Sequence, residues 1–96
     1  NSCLNIKKMR AGTKVVGTNS SRTSIDVFTS QELGKLLGVS SANGGNSALF
    51  VSNGDGAANS VHLEGATYQD SKWLAVTNAK NTGGAIRINY LAVLFG

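Results

Sequence analysis

The sequence has no proline, one cysteine, one histidine and few charged residues. A single cysteine, Cys3, excludes an internal disulfide framework and a zinc site built from several cysteines. A single histidine, His62, argues against a histidine-based metal site within one copy, although a ring of three His62 side chains around a trimer axis stays an alternative. No apolar run approaches the roughly 18 residues that a membrane-spanning helix needs. We therefore expect no metal, no cofactor and no membrane insertion.

The low charge does not indicate a disordered chain. Charged residues make up 15% of the sequence and hydrophobic residues 41%, whereas disordered chains carry more charge and less Val, Ile and Leu. The polar remainder is rich in Ser, Thr and Asn and is joined by 12 glycines, a composition that suits short strands connected by turns. A domain of this size buries only about 60–65% of its unfolded surface, so oligomerisation would help to stabilise it.

The most informative segment is the last one, 85–96. Side chains alternate between the two faces of a strand, so Ile86, Ile88 and Tyr90 share one face and are expected to pack on the subunit's own core. The opposite face begins polar and ends apolar, and its apolar end needs a second cover that another copy of the chain can supply. The predicted subunit interface consists of Arg87, Asn89, Leu91, Val93 and Phe95.

The remaining pattern predicts an all-β, mainly antiparallel domain with one short helix around residues 30–38. Further strands are expected at 13–16, 23–29, 47–52, 60–68 and 72–77. Segment 47–52 is apolar on both faces, which favours a central strand, and the strands from residue 47 onward suggest an antiparallel meander. Turns every eight to twelve residues are typical of a small β-sandwich or jelly-roll-like fold.

Helix and domain boundaries follow from local signals. Ser30 stands where an N-cap is expected, Glu32 lies in the first turn, and Gly38 can end the helix. Residues 1–11 are expected to form an N-terminal arm, an initial strand or a connection to an upstream domain, and residues 12–96 a single domain. Because the chain begins with Asn1 rather than Met, we expect it to be a piece of a longer protein.

Four basic residues lie close together near the N-terminus: Lys7, Lys8, Arg10 and Lys14. Such a cluster can bind nucleic acid or an anionic surface, but it is more often a solvated segment. No nucleic-acid-binding motif accompanies it, and we expect no nucleic-acid partner.

No combination of residues predicts catalysis. Ser60, His62 and Glu64 alternate along one strand, but neighbours at this spacing have Cα atoms about 6–7 Å apart, too far for a catalytic triad. No pair of carboxylates is arranged for glycoside hydrolysis. Asp55 is the one acidic residue in the turn 53–56, where a calcium loop would need several oxygen ligands.

Partly exposed aromatic rings near polar side chains suit the binding of sugars. The candidate carbohydrate-binding residues are Tyr68, Trp73, Asn53 and Asp55. For Trp73 a place in the core of the sandwich is the competing interpretation.

Several stretches together resemble the C-terminal domain of bacteriophage tail fibre and tailspike proteins. The resemblance depends on the order and spacing of six segments: 12–14 (GTK), 31–39 (QELGKLLGV), 51–56 (VSNGDG), 62–68 (HLEGATY), 73–76 (WLAV) and 84–90 (GAIRINY). It runs over most of the chain, from about Gly12 to Gly96. Leu74 departs from it, since a second aromatic residue is expected after Trp73.

This resemblance implies a homotrimeric β domain at the distal end of a fibre. Such domains hold three chains in register, and many also contact polysaccharide or lipopolysaccharide on the host surface. Some members are released by autocleavage just before the terminal domain, and Asn1-Ser2 is compatible with such a junction or, equally, with the boundary of an expressed fragment. The alternative is a stand-alone, lectin-like carbohydrate-binding module of a secreted or cell-surface protein.

Overall fold

The computed structural model describes residues 4–17, 19, 21–54, 61–80 and 83–96. In this part of the chain six strands and one helix follow one another: β1 (Ile6–Val16), β2 (Ser24–Thr29), α1 (Ser30–Leu37), β3 (Ser47–Asn53), β4 (Leu63–Gln69), β5 (Lys72–Thr77) and β6 (Ile86–Phe95). Every pairing between them is antiparallel. The predicted fold class, a mainly antiparallel all-β domain with one short helix, is confirmed.

Two three-stranded sheets form the domain. One has the strand order β1-β6-β3, which we call the first sheet, and the other has the order β2-β5-β4, the second sheet. Residues of both sheets and of the helix share one hydrophobic core: Val16, Ile25, Val27, Phe28, Leu33, Leu37, Ala42, Leu49, Trp73, Ala75, Ile86, Ile88, Ala92 and Leu94. The structure is therefore a small sandwich with the helix packed against β1, β2 and β6.

Strand β6 occupies the centre of the first sheet. It pairs with β1 from Val16↔Ile86 to Ile6↔Phe95, and with β3 from Ser47↔Leu94 to Asn53↔Ile88. Ile86 and Ile88 are buried and Tyr90 is half-buried against the core, as the alternation predicts. Burying an aliphatic side chain of this size stabilises the fold by about 1.5–3 kcal/mol.

The N-terminal segment is more ordered than an arm. Residues 6–11, which the sequence analysis places outside the domain, form the first half of β1 and pair with β6. A bulge between Ile6 and Lys8 interrupts this pairing. The alternative interpretation as an initial strand therefore describes this segment.

Two predictions about β3 were wrong. Its apolar faces predicted a central strand, but β3 lies at the edge of the first sheet, and the Phe50 side chain is 58% exposed. The strands from Ser47 onward do not form a meander, because β3 pairs with β6 while β4 pairs with β5 in the second sheet. Pairing between strands far apart in sequence is not encoded in local patterns.

The N-cap of the helix lies one residue earlier than predicted. Thr29, and not Ser30, is the N-cap, and its hydroxyl accepts a hydrogen bond from Glu32 N at 3.1 Å. The Glu32 carboxylate accepts one from Thr29 N at 2.8 Å, which completes a capping box. Gly38 ends the helix in the left-handed conformation, with φ of 78°, as predicted.

The capping box predicts a pH-dependent contribution to stability. The hydrogen bond from Thr29 N–H lowers the pKa of Glu32 below its ordinary value of 4.5, and the charge of Lys14 acts in the same direction. A carboxylate with a lowered pKa in the folded state stabilises the fold above its unfolded-state pKa, and this contribution is lost as the pH falls through the folded-state pKa. We expect Glu32→Gln to lose less stability than the parent chain between pH 7 and pH 3, roughly the range that spans carboxylate titration.

Denaturant unfolding followed by the fluorescence of Trp73 measures this difference at each pH. Thr29→Ala is the companion variant and should destabilise the chain by about 1 kcal/mol at neutral pH. Equal losses on acidification in the parent and in Glu32→Gln would contradict the role assigned to the carboxylate.

Candidate functional site

The first sheet has one face on the core and one face pointing away from it, which we call the outer face. Residues directly opposite each other in antiparallel strands share a face. The pairing therefore places these residues on the outer face: Ile6, Met9, Ala11, Thr13 and Val15 from β1; Arg87, Asn89, Leu91, Val93 and Phe95 from β6; Ala48, Phe50 and Ser52 from β3. The five predicted interface residues all lie on this one surface.

The outer face is apolar over most of its area. Within the described residues the exposed large hydrophobic side chains are Leu4, Ile6, Met9, Val15 and Phe50, and all except Leu4 belong to the outer face. Leu91 and Phe95 are half-buried between these neighbours. A contiguous exposed apolar surface is a mark of an interaction site.

Val93 differs from the other predicted interface residues because its own chain already covers it. Met9 lies opposite it on β1 and Ala48 opposite it on β3. These neighbours leave Val93 only 4% exposed. Val93 therefore contributes little exposed area to the outer face, whereas Phe50, Met9 and Ile6 expose more apolar area.

Near the start of β6, the outer face carries polar side chains from β6 and β3. Arg87 and Asn89 are exposed on β6, and Asn89 Nδ2 donates a hydrogen bond to Ser52 Oγ on β3 at 3.4 Å. Along β6 the outer face thus passes from polar Arg87 to apolar Phe95, while exposed Val15 on β1 lies opposite Arg87. This gradient is the one that the sequence of the last strand predicts.

The second sheet presents a polar outer surface, in contrast to the first. Asp26 on β2 forms salt bridges with Arg22 at 2.8 Å and with Lys72 at 3.2 Å. Partial burial acts to raise the pKa of Asp26, but hydrogen bonds and charges from Lys72 and Arg22 bring it below the ordinary value. A solvated surface of this kind needs no cover, so the apolar outer face is specific to the first sheet.

The structure describes three of the four predicted carbohydrate-binding residues, Tyr68, Trp73 and Asn53. Trp73 is 4% exposed and its indole N–H donates to Ala42 O at 3.0 Å, which confirms the competing interpretation that it is a core residue. Tyr68 is half-buried, with its ring centroid 5.2 Å from that of Trp73. Asp55 lies outside the described residues. No joint sugar platform is formed by Tyr68 and Trp73.

Asn53 has a structural role. Its amide Nδ2 donates to Val61 O at 2.9 Å and its Oδ1 accepts from Leu63 N at 3.0 Å. The side chain therefore ties the end of β3 in the first sheet to the start of β4 in the second. An amide engaged on both sides has little capacity left for a ligand.

The polar row of the fourth predicted strand is solvent-facing where the structure describes it. His62 and Glu64 are exposed, and Ser60 lies outside the described residues. Across the described ranges, no three His, Cys, Asp or Glu side chains come together as a possible metal site. In the same ranges no helix has the length and hydrophobicity to cross a membrane.

No family model, curated protein or solved structure matches this chain. Evidence for a function therefore comes from the described residues and from the surfaces that they form. The outer face of the first sheet differs from an ordinary solvated surface because it exposes several large hydrophobic side chains, and it is the candidate functional site.

Sequence reasoning missed the residues that contribute most to this surface. Met9 alternates with basic residues along the first half of β1, so a period-two pattern was present but was interpreted as an arm, whereas Val15 lies in the strand that was predicted at 13–16. Phe50 was assigned to a central strand because its neighbours are apolar. Both errors come from the unknown pairing partner, since only the register with β6 shows that these side chains share a face.

We predict that substitutions on the two faces of the first sheet change the free energy of unfolding by very different amounts. Ile88→Ala removes a fully buried side chain and should lower the free energy of unfolding by about 2–4 kcal/mol. Phe50→Ser removes an exposed side chain and should change it by no more than about 0.5 kcal/mol in dilute protein. Urea unfolding at low protein concentration measures both, and a Phe50→Ser loss equal to that of Ile88→Ala would place Phe50 in the chain's own core.

Proposed function

We propose that this chain is a non-enzymatic assembly domain, in which three copies associate through the outer face of the first sheet at the distal end of a phage tail fibre or tailspike. In this proposal the assembled domain also contributes to binding polysaccharide or lipopolysaccharide on the host cell surface. The location is then the virion, at the tip of the fibre.

The observation that carries the proposal is the exposed apolar outer face. Phe50 and Met9 are 58% and 48% exposed, and they flank half-buried Leu91 on the central strand. Each aliphatic or aromatic side chain removed from water there contributes about 25 cal/mol per Å² of buried apolar area. In a domain with a small core, this gain is a large fraction of the total stability.

A second copy of the chain fits this surface better than an unrelated partner for two reasons. Every copy carries the same apolar surface, so an assembly with closed symmetry buries that surface in all of its copies. The gradient from polar Arg87 to apolar Phe95 also gives the surface a direction, which fixes how copies are aligned. Asn89 and Arg87 then supply polar contacts near the rim.

The number of copies and the place in a fibre rest on the resemblance to tail fibre and tailspike C-terminal domains over about residues 12–96. The binding of host glycans rests on the same resemblance. Of the four residues first proposed for it, Tyr68 is the aromatic one that stays half-exposed. A stand-alone carbohydrate-binding module would share the fold but would function as a monomer.

Sedimentation equilibrium and native mass spectrometry test the assembly. We expect a species of three times the 9.9 kDa chain mass, which dissociates on dilution. Leu91→Ser and Phe95→Ser should shift the mass toward one chain, because each removes apolar area from the outer face. Both variants should keep the far-ultraviolet circular dichroism of the parent chain.

Val76→Ser is the matched control, since Val76 is half-buried and apolar but faces outward from the second sheet, opposite Ser24. It should leave the mass unchanged. A monomer at every concentration would overturn the proposal. A monomer that binds glycans and loses binding on Tyr68→Ala would instead support the carbohydrate-binding module.

A further inference from the structure

A cleft lies beside the helix, next to β1 and β6. It has a volume of about 560 Å³ and is lined by Thr13, Lys14, Phe28, Glu32, Lys35, Leu36 and Tyr90. This volume is in the range of small-ligand sites. The lining combines two aromatic rings, an aliphatic side chain, two cations, one carboxylate and Thr13, and Phe28 among them also belongs to the core.

Lys14 is held in a fixed position at this cleft. Its Nζ donates a hydrogen bond to Val27 O and lies 4.3 Å from the centroid of the Phe28 ring. An ammonium group has three N–H donors, so this position leaves donors for a ligand. Lys14 is thus an oriented cation, which has already lost much of the side-chain freedom that binding would otherwise cost.

The cation belongs to a row along one face of β1. Lys8, Arg10 and Lys14 lie opposite Leu94, Ala92 and Ile88 of β6, so they share the side of the first sheet that faces the helix. Lys35 adds a further positive charge from α1. Of these cations, Lys14 and Lys35 line the cleft itself.

Gly12 interrupts this row and makes room for Tyr90. A Cβ atom at Gly12 would lie 2.7 Å from the Tyr90 hydroxyl oxygen, so only glycine lets the ring lie across β1. The ring packs edge-on against Phe28 with a centroid distance of 5.1 Å. Within the described part of the chain the Tyr90 hydroxyl has no hydrogen-bond partner, and Tyr90 is one of the residues that line the cleft.

Glu32 gives the cleft an acceptor beside its donors. One carboxylate oxygen, Oε1, accepts the Thr29 N–H of the capping box, which fixes the group at the first turn of α1. The other oxygen is available to a hydroxyl group. Cations, a phenol hydroxyl and a carboxylate around apolar surface match a ligand with one acidic group and several hydroxyls.

We propose that this cleft binds a carboxylated sugar unit, whose carboxylate contacts Lys14 and Lys35 and whose hydroxyls contact Tyr90 and Glu32. The inference deepens the glycan-binding part of the proposed function and rests on it. The cleft, and not the neighbourhood of Tyr68 and Trp73, is then the glycan site.

Chemical-shift changes in two-dimensional amide NMR test the site with defined probes. Glucuronate and N-acetylneuraminate are the two carboxylated sugars and distinguish a uronic from an ulosonic acid. Glucose provides the neutral ring, acetate the carboxylate alone, and a short oligothymidylate the nucleic acid. We expect at least one carboxylated sugar to shift the amides of Lys14, Glu32, Leu36 and Tyr90, while glucose and acetate at the same concentration do not.

Two conservative variants assign the contacts. Lys35→Met keeps the length of an exposed side chain and removes its charge, and it should weaken binding about tenfold, because a charge-assisted hydrogen bond is lost. Tyr90→Phe keeps the ring and removes the unpaired hydroxyl, and it should weaken binding about threefold or more. Lys80→Met removes an exposed lysine that does not line the cleft and should leave binding unchanged.

The mass of each sample reports whether the chain assembles, and the amide shifts report whether the cleft binds sugar. The two measurements therefore test the proposed function and this inference separately. A trimer in which no carboxylated sugar shifts these amides overturns the cleft and leaves the assembly intact. Equal shifts with acetate, or tighter binding of oligothymidylate, also overturn it. Binding that survives both Lys35→Met and Tyr90→Phe unchanged would place the sugar elsewhere.

Discussion

The structure depends on the central position of β6, the last strand of the chain. This strand hydrogen-bonds to β1 on one side and to β3 on the other, and it sends Ile86, Ile88, Ala92 and Leu94 into the core. Neither β1 nor β3 pairs with the other, so the first sheet exists only because β6 joins them. A shift of its register by one residue would exchange the core face with the outer face.

The same constraint explains the two surfaces. Because the inner positions of β6 are occupied by the core, its apolar outer positions can be covered only by neighbouring strands or by another molecule. Met9 and Ala48 cover Val93 from either side, but Leu91 and Phe95 stay partly exposed. On the core side, the Tyr90 ring lies over Gly12, which leaves space for it, and Tyr90 also lines the cleft.

Much of the fold could be predicted from local patterns, because β6, β5 and α1 carry their own signals of alternation, capping and termination. Thr29 and Ser30 are both good N-caps, so the predicted N-cap was displaced by one residue. The position of β3 and the length of β1 could not be predicted, since both depend on pairing with a strand more than thirty residues away. The five residues of the predicted interface could be assigned to one face because they share one strand, whereas the exposure of Phe50 and the cleft depend on contacts between strands.

The central claim is that the outer face of the first sheet is buried between copies of the chain. Met9 is the one methionine of the sequence and lies opposite Val93 on that face, so its methyl group gives a single NMR signal at the proposed contact. The broadening of this signal by a soluble paramagnetic probe measures its exposure to solvent directly. We predict strong broadening in dilute, monomeric protein and weak broadening in the assembled protein. Equal broadening in both states would contradict the claim, whatever the mass of the assembly.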